Sequence, residues 1–253
     1  MAIECVVVTG GASGIGLATA EAVVKAGGHV ALLDLDGAAA SEQARRLGDK
    51  ALGLAADVTS EAALIAARTR IEAEFPPVTG LVNCAAALPT ADAIEDLDPA
   101  AFDRILLSHV SGTLLPCRVF GGPMAERRRG AIVNLASVLA YRPGPILAYG
   151  AGKAGVVNLT ESLATHWAKK GVRVNAVAPG WTDTPFISRR KAMFDTIRAA
   201  VPMGRLLEPS EIAAVILFLL SPAASAVTGT TIPCDGGYLA GAGWGPYGGF
   251  PKS

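Results

Sequence analysis

The stretch Cys5-Val6-Val7-Val8-Thr9-Gly10-Gly11-Ala12-Ser13-Gly14-Ile15-Gly16 reads as an apolar strand running straight into a glycine-rich turn, and a helical pattern follows at once. Glycine lets a backbone approach a ligand closely, and the unpaired N–H groups at a helix start favour negative charge. The unit therefore predicts a pyrophosphate cradle. Its spacing, Gly-x-x-x-Gly-x-Gly, is neither the Gly-x-Gly-x-x-Gly dinucleotide fingerprint nor a P-loop, which would end in Gly-Lys-Ser or Gly-Lys-Thr.

Further apolar runs lie near residues 29–34, 51–56, 80–83, 131–136, 172–178 and 230–234, with helical segments between them. Together with 5–9 they predict an α/β fold: a doubly wound parallel sheet of about seven strands with helices on both faces. Runs such as Ala131-Ile132-Val133-Asn134-Leu135-Ala136 are almost continuously apolar, as strands covered on both faces are. Ligands of such sheets sit at the carboxyl ends of the strands. Gly10, Asp34, Asp57, Asn83, Ser137 and Pro179 fall there.

The second chemical signal is Ala148-Tyr149-Gly150-Ala151-Gly152-Lys153, in which a phenol and an ammonium share one helix face at i and i+4. A tyrosine base near neutral pH needs its pKa, ordinarily about 10, lowered by roughly 2–3 units, or about 3–4 kcal/mol. A fixed cation beside it can supply much of that. The expectation is that Lys153 does so for Tyr149.

The composition agrees with one soluble α/β domain able to bury a large core: 253 residues, 51% hydrophobic, 17% charged and no formal net charge. Electrostatics gives no reason to expect a nucleic-acid or membrane partner. The Arg127-Arg128-Arg129 run reads as a solvated helix end. Cys5, Cys84, Cys117 and Cys234 are scattered, and the histidines have no ligand spacing, so neither a zinc site nor a disulfide framework is indicated. The N-terminal stretch lacks the pattern of an export leader, and Ala213–Leu220 is too short to span a bilayer. These features predict a cytoplasmic location.

In order along the chain, Thr9-Gly10-(x3)-Gly14-Ile15-Gly16, Asp57-Val58, Val82-Asn83, Ser137, Tyr149-x-x-x-Lys153, Val174-Asn175-Ala176-Val177-Ala178-Pro179-Gly180, Thr228-Gly229 and Asp235-Gly236-Gly237 resemble the short-chain dehydrogenase/reductase family. The resemblance covers nearly the whole chain. It implies one Rossmann-type domain over 1–253, a nicotinamide cofactor, and hydride transfer between an alcohol and a carbonyl. Ser137, Tyr149 and Lys153 become the catalytic residues, with Tyr149 the general acid/base. Gly10, Ser13, Gly14, Ile15, Gly16, Asp34, Asp57, Val58, Asn83, Pro179, Gly180, Thr182 and Thr184 become cofactor-binding residues, joined by Tyr149 and Lys153. Asp57 and Val58 would meet the adenine, Asn83 would line the cleft, and Thr182 and Thr184 would hold the nicotinamide carboxamide.

The acidic Asp34 ends the second strand, 18 positions after Gly16, with no arginine or lysine at Leu35, Asp36 or Gly37. A carboxylate there accepts from ribose hydroxyls and repels the 2′-phosphate of NADP, which predicts NAD. The alternatives are an NADP-dependent carbonyl or oxoacyl reductase, which Asp34 opposes, and a non-catalytic dinucleotide-binding protein, which Tyr149 and Lys153 oppose.

Three departures from the family pattern stand out. The interval from Ser137 to Tyr149 is one residue short, which would turn Tyr141 toward the pocket. The usual Asn-Asn-Ala-Gly appears as Asn83-Cys84-Ala85-Ala86, with Cys84 a small buried filler. His109 stands where most members have an asparagine that helps anchor a water beside the lysine. Two roles are open to it, proton relay or helix packing. Residues 184–205 correspond to a substrate lid, in which Phe186, Ile187, Met193 and Phe194 offer an apolar wall and Arg189, Arg190 and Lys191 an anion partner or an exposed face. Helices such as those expected around 101–120 and 148–168 pair between subunits in family tetramers, so the resemblance implies a homotetramer, with the tail at 238–253, which holds Trp244, Tyr247 and Phe250, packed against the body or a neighbouring subunit. The partner is a small-molecule alcohol or carbonyl compound.

Overall fold

A computed structural model describes residues 4–87, 94–188 and 194–241. Seven strands run through it: β1 (Cys5–Thr9), β2 (His29–Asp34), β3 (Ala51–Ala55), β4 (Gly80–Asn83), β5 (Gly130–Leu135), β6 (Val172–Pro179) and β7 (Thr231–Cys234). They form one sheet in the order β3-β2-β1-β4-β5-β6-β7, and every neighbouring pair is parallel. The expected strand limits agree with these to within one residue.

Alternation along each strand feeds two cores. Val7, Leu33, Leu81 and Ile132 pack on one face with Phe120 and Trp167. Val6, Val8, Leu32, Val82 and Val133 pack on the other with Ile212 and Ile216. At 25 cal/mol per Å² of apolar surface, each such large side chain contributes about 1.5–3 kcal/mol, which is why these runs take buried strand positions.

Helices α1 (Gly14–Lys25), α2 (Gly37–Leu47) and α3 (Glu61–Glu74) follow the first three strands. Asp36 and Ser60 cap α2 and α3 by accepting from Ala39 N and Ala63 N, as N-cap residues do. A long helical rod then runs through α4 (Pro99–Leu106), α5 (Gly112–Pro116) and α6 (Gly122–Glu126), joined by π-helical turns at Leu107–Ser111 and Cys117–Gly121. Such turns mark functional sites often enough to draw attention. Beyond β5 lie α7 (Leu147–Trp167), α8 (Pro185–Ser188), α9 (Phe194–Ala200), α10 (Pro209–Leu220) and α11 (Tyr238–Gly241).

A buried chain of side-chain hydrogen bonds ties the sheet to α7. Asn83 Nδ2 donates to Asn134 Oδ1 at 2.9 Å, Asn134 Nδ2 donates to Thr160 Oγ1 at 2.9 Å, and Thr160 Oγ1 donates to the Val156 carbonyl at 2.7 Å. The arginine run does more than solvate a helix end. Arg127 donates to the Val78 carbonyl, Arg128 to the Lys169 carbonyl, and Arg129 pairs with Glu4. Chain reversals far from the site are thereby fastened by cations whose stems cover apolar surface.

β1 lies between β2 and β4, so the connections leaving β1 and β4 diverge to opposite faces. The crevice opened at the carboxyl ends of those strands is the expected ligand position. Among the described residues no helix is long and apolar enough to cross a membrane, and no group of three His, Cys, Asp or Glu side chains is placed to hold a metal ion.

Candidate active site

The crevice is a cavity of about 850 Å³ that runs from Asp34 and Asp57 at one end to Ser137, Tyr149 and Lys153 at the other. Its floor is the glycine turn. Gly10 and Gly14 have φ of 63° and 54°, a region that side chains with a Cβ enter only at a cost. A Cβ on Gly10 would stand 2.9 Å from the Ala85 backbone, and one on Gly16 would collide with the Gly10 carbonyl. Ser13, the N-cap of α1, makes no side-chain cap bond, and the first turn of α1 carries no acidic residue. The helix start is thus left to an external anion, as a pyrophosphate requires. By these observations the residues present fit a dinucleotide.

At the end of the cavity away from Tyr149, Asp34 Oδ2 accepts from Ala12 N at 3.1 Å and Oδ1 from Asp36 N at 3.2 Å. The carboxylate is therefore fixed to the glycine turn. Asp57 Oδ1 accepts from Thr59 N at 2.8 Å and Thr59 Oγ1 at 2.7 Å. Val58 lines the cavity beside it. Ile15, Pro179, Gly180, Thr182 and Thr184 also line it, and Thr184 Cγ2 is 3.4 Å from where a Gly14 Cβ would stand. Thr182 is buried, and its hydroxyl donates to the Gly180 carbonyl at 3.2 Å.

Asn83 is placed otherwise than the sequence reading expects. Its side chain is 3% exposed, bonds Asn134 and reaches Cys117 Sγ at 3.3 Å, and does not line the cavity. The cavity wall at this point is Cys84-Ala85-Ala86. The cause is strand alternation: Asn83 closes β4 in register with Thr9 and Asn134, with its side chain in the layer under α7. Cys84 does line the cavity, and burial pushes its thiol up to about 12 despite the opposing pull of Lys153. The residue is part-exposed at the cavity wall, where the sequence reading expects a buried filler.

Ser137 follows β5, accepts from Leu139 N at 3.2 Å, and shares a hydrogen bond with Tyr149. Tyr149 stands near the start of α7, and Lys153 lies one turn on. The Lys153 Nζ donates to the Leu135 carbonyl at 2.6 Å and lies 5.6 Å from the centre of the Tyr149 ring. Burial lowers the lysine to about 8 and raises the tyrosine above its ordinary value, against which the Ser137 hydrogen bond acts. For both groups the largest influence is burial, which disfavours the charged form.

His109 belongs to the first π-helical turn and is 1% exposed. Nε2 lies 2.9 Å from the Ala87 carbonyl, which fixes it as the protonated nitrogen, and Nδ1 has no partner among the described residues. The ring meets Tyr149 edge-on, with centres 5.1 Å apart at 87°. Burial holds its pKa down to about 4, with Lys153 adding to the effect. The imidazole packs edge-on against Tyr149 with its protonated nitrogen spent on the Ala87 carbonyl. Tyr141, expected near the pocket, is 41% exposed and outside the cavity lining, because the short 3₁₀ turn at Val138–Ala140 spends the tight bend before reaching it. Sequence reasoning missed Gly152, whose absent side chain makes room for His109. It also missed Leu139, Ile146 and Tyr238, which line the same cavity as Ser137, Tyr149 and Lys153. Arg189, Arg190, Lys191, Met193 and the tail aromatics lie outside the described residues, as does the side chain of Phe186.

A family model described as enoyl-(acyl carrier protein) reductase matches residues 10–239. The chain belongs to the short-chain dehydrogenase/reductase family. It is 43% identical over 241 residues to a galactitol 2-dehydrogenase (L-tagatose-forming) of Cereibacter sphaeroides, covering 92% of this chain and 94% of that one. It is 40% identical over 248 residues to 2-(S)-hydroxypropyl-CoM dehydrogenase 3 of Xanthobacter autotrophicus (strain ATCC BAA-1158 / Py2), covering 94% and 97%. A 3-oxoacyl-[acyl-carrier protein] reductase from Brucella melitensis, solved with bound NAD, superposes with a TM-score of 0.86 at 32% identity, covering 93% of this short-chain dehydrogenase/reductase and 91% of its own chain. As a family member the protein is an oxidoreductase of the hydride-transferring type that uses a nicotinamide dinucleotide.

Proposed function

We propose that this short-chain dehydrogenase/reductase interconverts a secondary alcohol and its ketone with NAD(H), with Tyr149 as general acid/base. The observation that carries the reading is the convergence of Ser137, Tyr149 and Lys153 on the cavity that also holds the glycine cradle. When bound, a nicotinamide dinucleotide supplies the hydride acceptor for oxidation and the donor for reduction. Ser137 and Tyr149 would hold the substrate oxygen between two hydroxyls. During oxidation the Tyr149 oxygen takes the hydroxyl proton as the carbinol C–H bond breaks, and during reduction the phenol returns it. Lys153, joined to Leu135, would bind the nicotinamide ribose and add positive potential at the phenol. Gly10, Ser13, Gly14, Ile15 and Gly16 would hold the pyrophosphate. Asp57 and Val58 would hold the adenine, and Pro179, Gly180, Thr182 and Thr184 the carboxamide.

The preference for NAD rests on Asp34, whose carboxylate is fixed by Ala12 N and followed by an exposed leucine, so no cation offsets its repulsion of a 2′-phosphate. Residues 184–205 serve as a substrate lid; within it Ile187, Ile197 and Val201 form a small core with Trp181 and Phe194. We further infer a homotetramer, supported by the exposed Leu107, Leu114 and Leu147 on the long helices. Initial rates on secondary alcohols with NAD and with NADP test the reading, and light scattering tests the assembly. No rate with either dinucleotide would overturn the catalytic reading, and equal rates with both the cofactor preference.

A further inference from the structure

The cavity is chemically two-sided. Its dinucleotide side carries the glycine cradle, Asp34, Asp57 and Thr184. Beyond Ser137 and Tyr149, the described lining includes Val138, Leu139, Ile146, Trp181, Ile187 and Tyr238, and Arg104, Leu107 and Ser108 line the cavity as well. Leu139 and Ile146 flank the catalytic serine and tyrosine in sequence. Neither side chain is buried in the core, so each presents an apolar face to whatever stands at the reacting carbon. Trp181 is likewise part-exposed where the lid core meets the cavity.

Among the described lining residues away from the dinucleotide side, hydroxyls come from Ser137 and Tyr149, which the reading above assigns to the reacting oxygen, from Tyr238, and from Ser108, whose Oγ already accepts from Ala87 N at 2.8 Å. Thr182 spends its hydroxyl on the Gly180 carbonyl and is buried. A polyol entering this lobe would shed water from several hydroxyls and find few partners among the described residues. Hydroxyls stripped of water and left unpaired are what binding sites reject most strongly. A ring or alkyl chain would replace the same water at a gain.

We propose that the substrate is a secondary alcohol, or the corresponding ketone, whose carbinol carbon bears an apolar ring or chain, and not a polyol. The inference rests on the oxidoreductase reading above, and it separates this protein from what the name of its galactitol-oxidising relative would suggest. Oxidation removes the carbinol hydride to the dinucleotide and the hydroxyl proton to Tyr149, so the atoms balance with no further reactant.

The test compares kcat/KM for cyclohexanol, 1-phenylethanol and 2-octanol with that for galactitol and threitol, with each dinucleotide saturating. The expected result is an advantage of about 100-fold or more for the best apolar alcohol. A polyol that matches or exceeds the apolar set overturns the substrate class while leaving the enzyme reading intact. Turnover of none of them counts against the enzyme reading. Binding then decides the substrate class separately: titration of cyclohexanone and of galactitol against tryptophan fluorescence in the presence of NAD should show saturation with the ketone alone. Saturation with galactitol alone, or with neither, refutes an apolar lobe. Leu139→Asn should narrow the apolar-to-polyol ratio about tenfold or more. Ile146→Gln serves the same purpose should the first variant lose thermal stability. An unchanged ratio in a folded variant refutes the assignment of that wall.

Discussion

Nδ1 of His109 faces Gly152 so closely that a Cβ on that glycine would stand 2.5 Å from the nitrogen and 2.9 Å from the histidine Cβ. One turn on, a Cβ on Gly155 would stand 2.9 Å from Val110 Cγ2. The π-helical turn and α7 therefore meet at a distance that two glycines permit. Lys153 directly follows the first of them, and Tyr149 packs against the same imidazole.

Gly152→Ala should consequently force the imidazole or the helix to move. Overpacking of this kind costs about 1–3 kcal/mol. A fall in the unfolding midpoint and a loss of kcat of about tenfold are expected together. In a His109→Ala background the same change should cost less than a third as much in both measurements. Equal penalties in the two backgrounds would mean that the glycine serves some other neighbour.

Tyr149→Phe removes the hydroxyl proposed to exchange the substrate proton. It should lower kcat by about 10²- to 10⁴-fold and leave the Kd for NAD within about threefold, as measured by calorimetry. Lys153→Ala should damage both. A Tyr149→Phe enzyme that keeps a tenth of its kcat would remove the tyrosine from its role.

Acid stability should report His109. Its folded pKa, about 4, lies below the ordinary 6.5, so between those values the unfolded chain binds a proton that the folded one refuses. Stability is fully present above pH 6.5 and falls as the pH drops toward 4, by about 3 kcal/mol at 1.36 kcal/mol per unit. Urea unfolding of His109→Asn at pH 7 and pH 4.5 should show a smaller drop than the parent protein. An identical drop would assign the acid lability elsewhere.

Cofactor choice should respond to Asp34→Ala combined with Leu35→Arg, which removes the repelling carboxylate and supplies a phosphate partner. The ratio of kcat/KM for NADP to that for NAD should rise at least tenfold. Because Asp34 also holds Ala12 N, the rate with NAD should fall as well. A parent enzyme that prefers NADP defeats the argument without any mutation.

The sheet was legible because its strands are unbroken apolar runs between turns, and β1, β2 and β4 fall where those runs fall. The glycine turn, Asp34, Ser137, Tyr149 and Lys153 were legible because their chemistry imposes spacing along the chain. What escaped depends on contacts between residues far apart in sequence. Asn83 is paired by a residue 51 positions away. Gly152 has its reason in His109, and Tyr141 is turned outward by a short 3₁₀ turn that no residue type demands. The burial of Tyr149 and Lys153 escaped too, because their spacing is evident in sequence whereas the desolvation of both groups is a property of the folded cavity.

The buried relay from Asn83 through Asn134 to Thr160 has a consequence for how this chain can change over time. Replacing any one of the three by an apolar residue strands a polar partner, at about 1–3 kcal/mol, out of a total stability of about 5–15 kcal/mol for such a protein. Replacing all three with matched apolar shapes removes the penalty, so single steps lead downhill to a state from which the triple change would recover. The trio therefore constitutes one epistatic unit. Its mutational neighbours should lose fitness singly and regain it only in combination, while exposed positions on α2 and α3 drift one at a time.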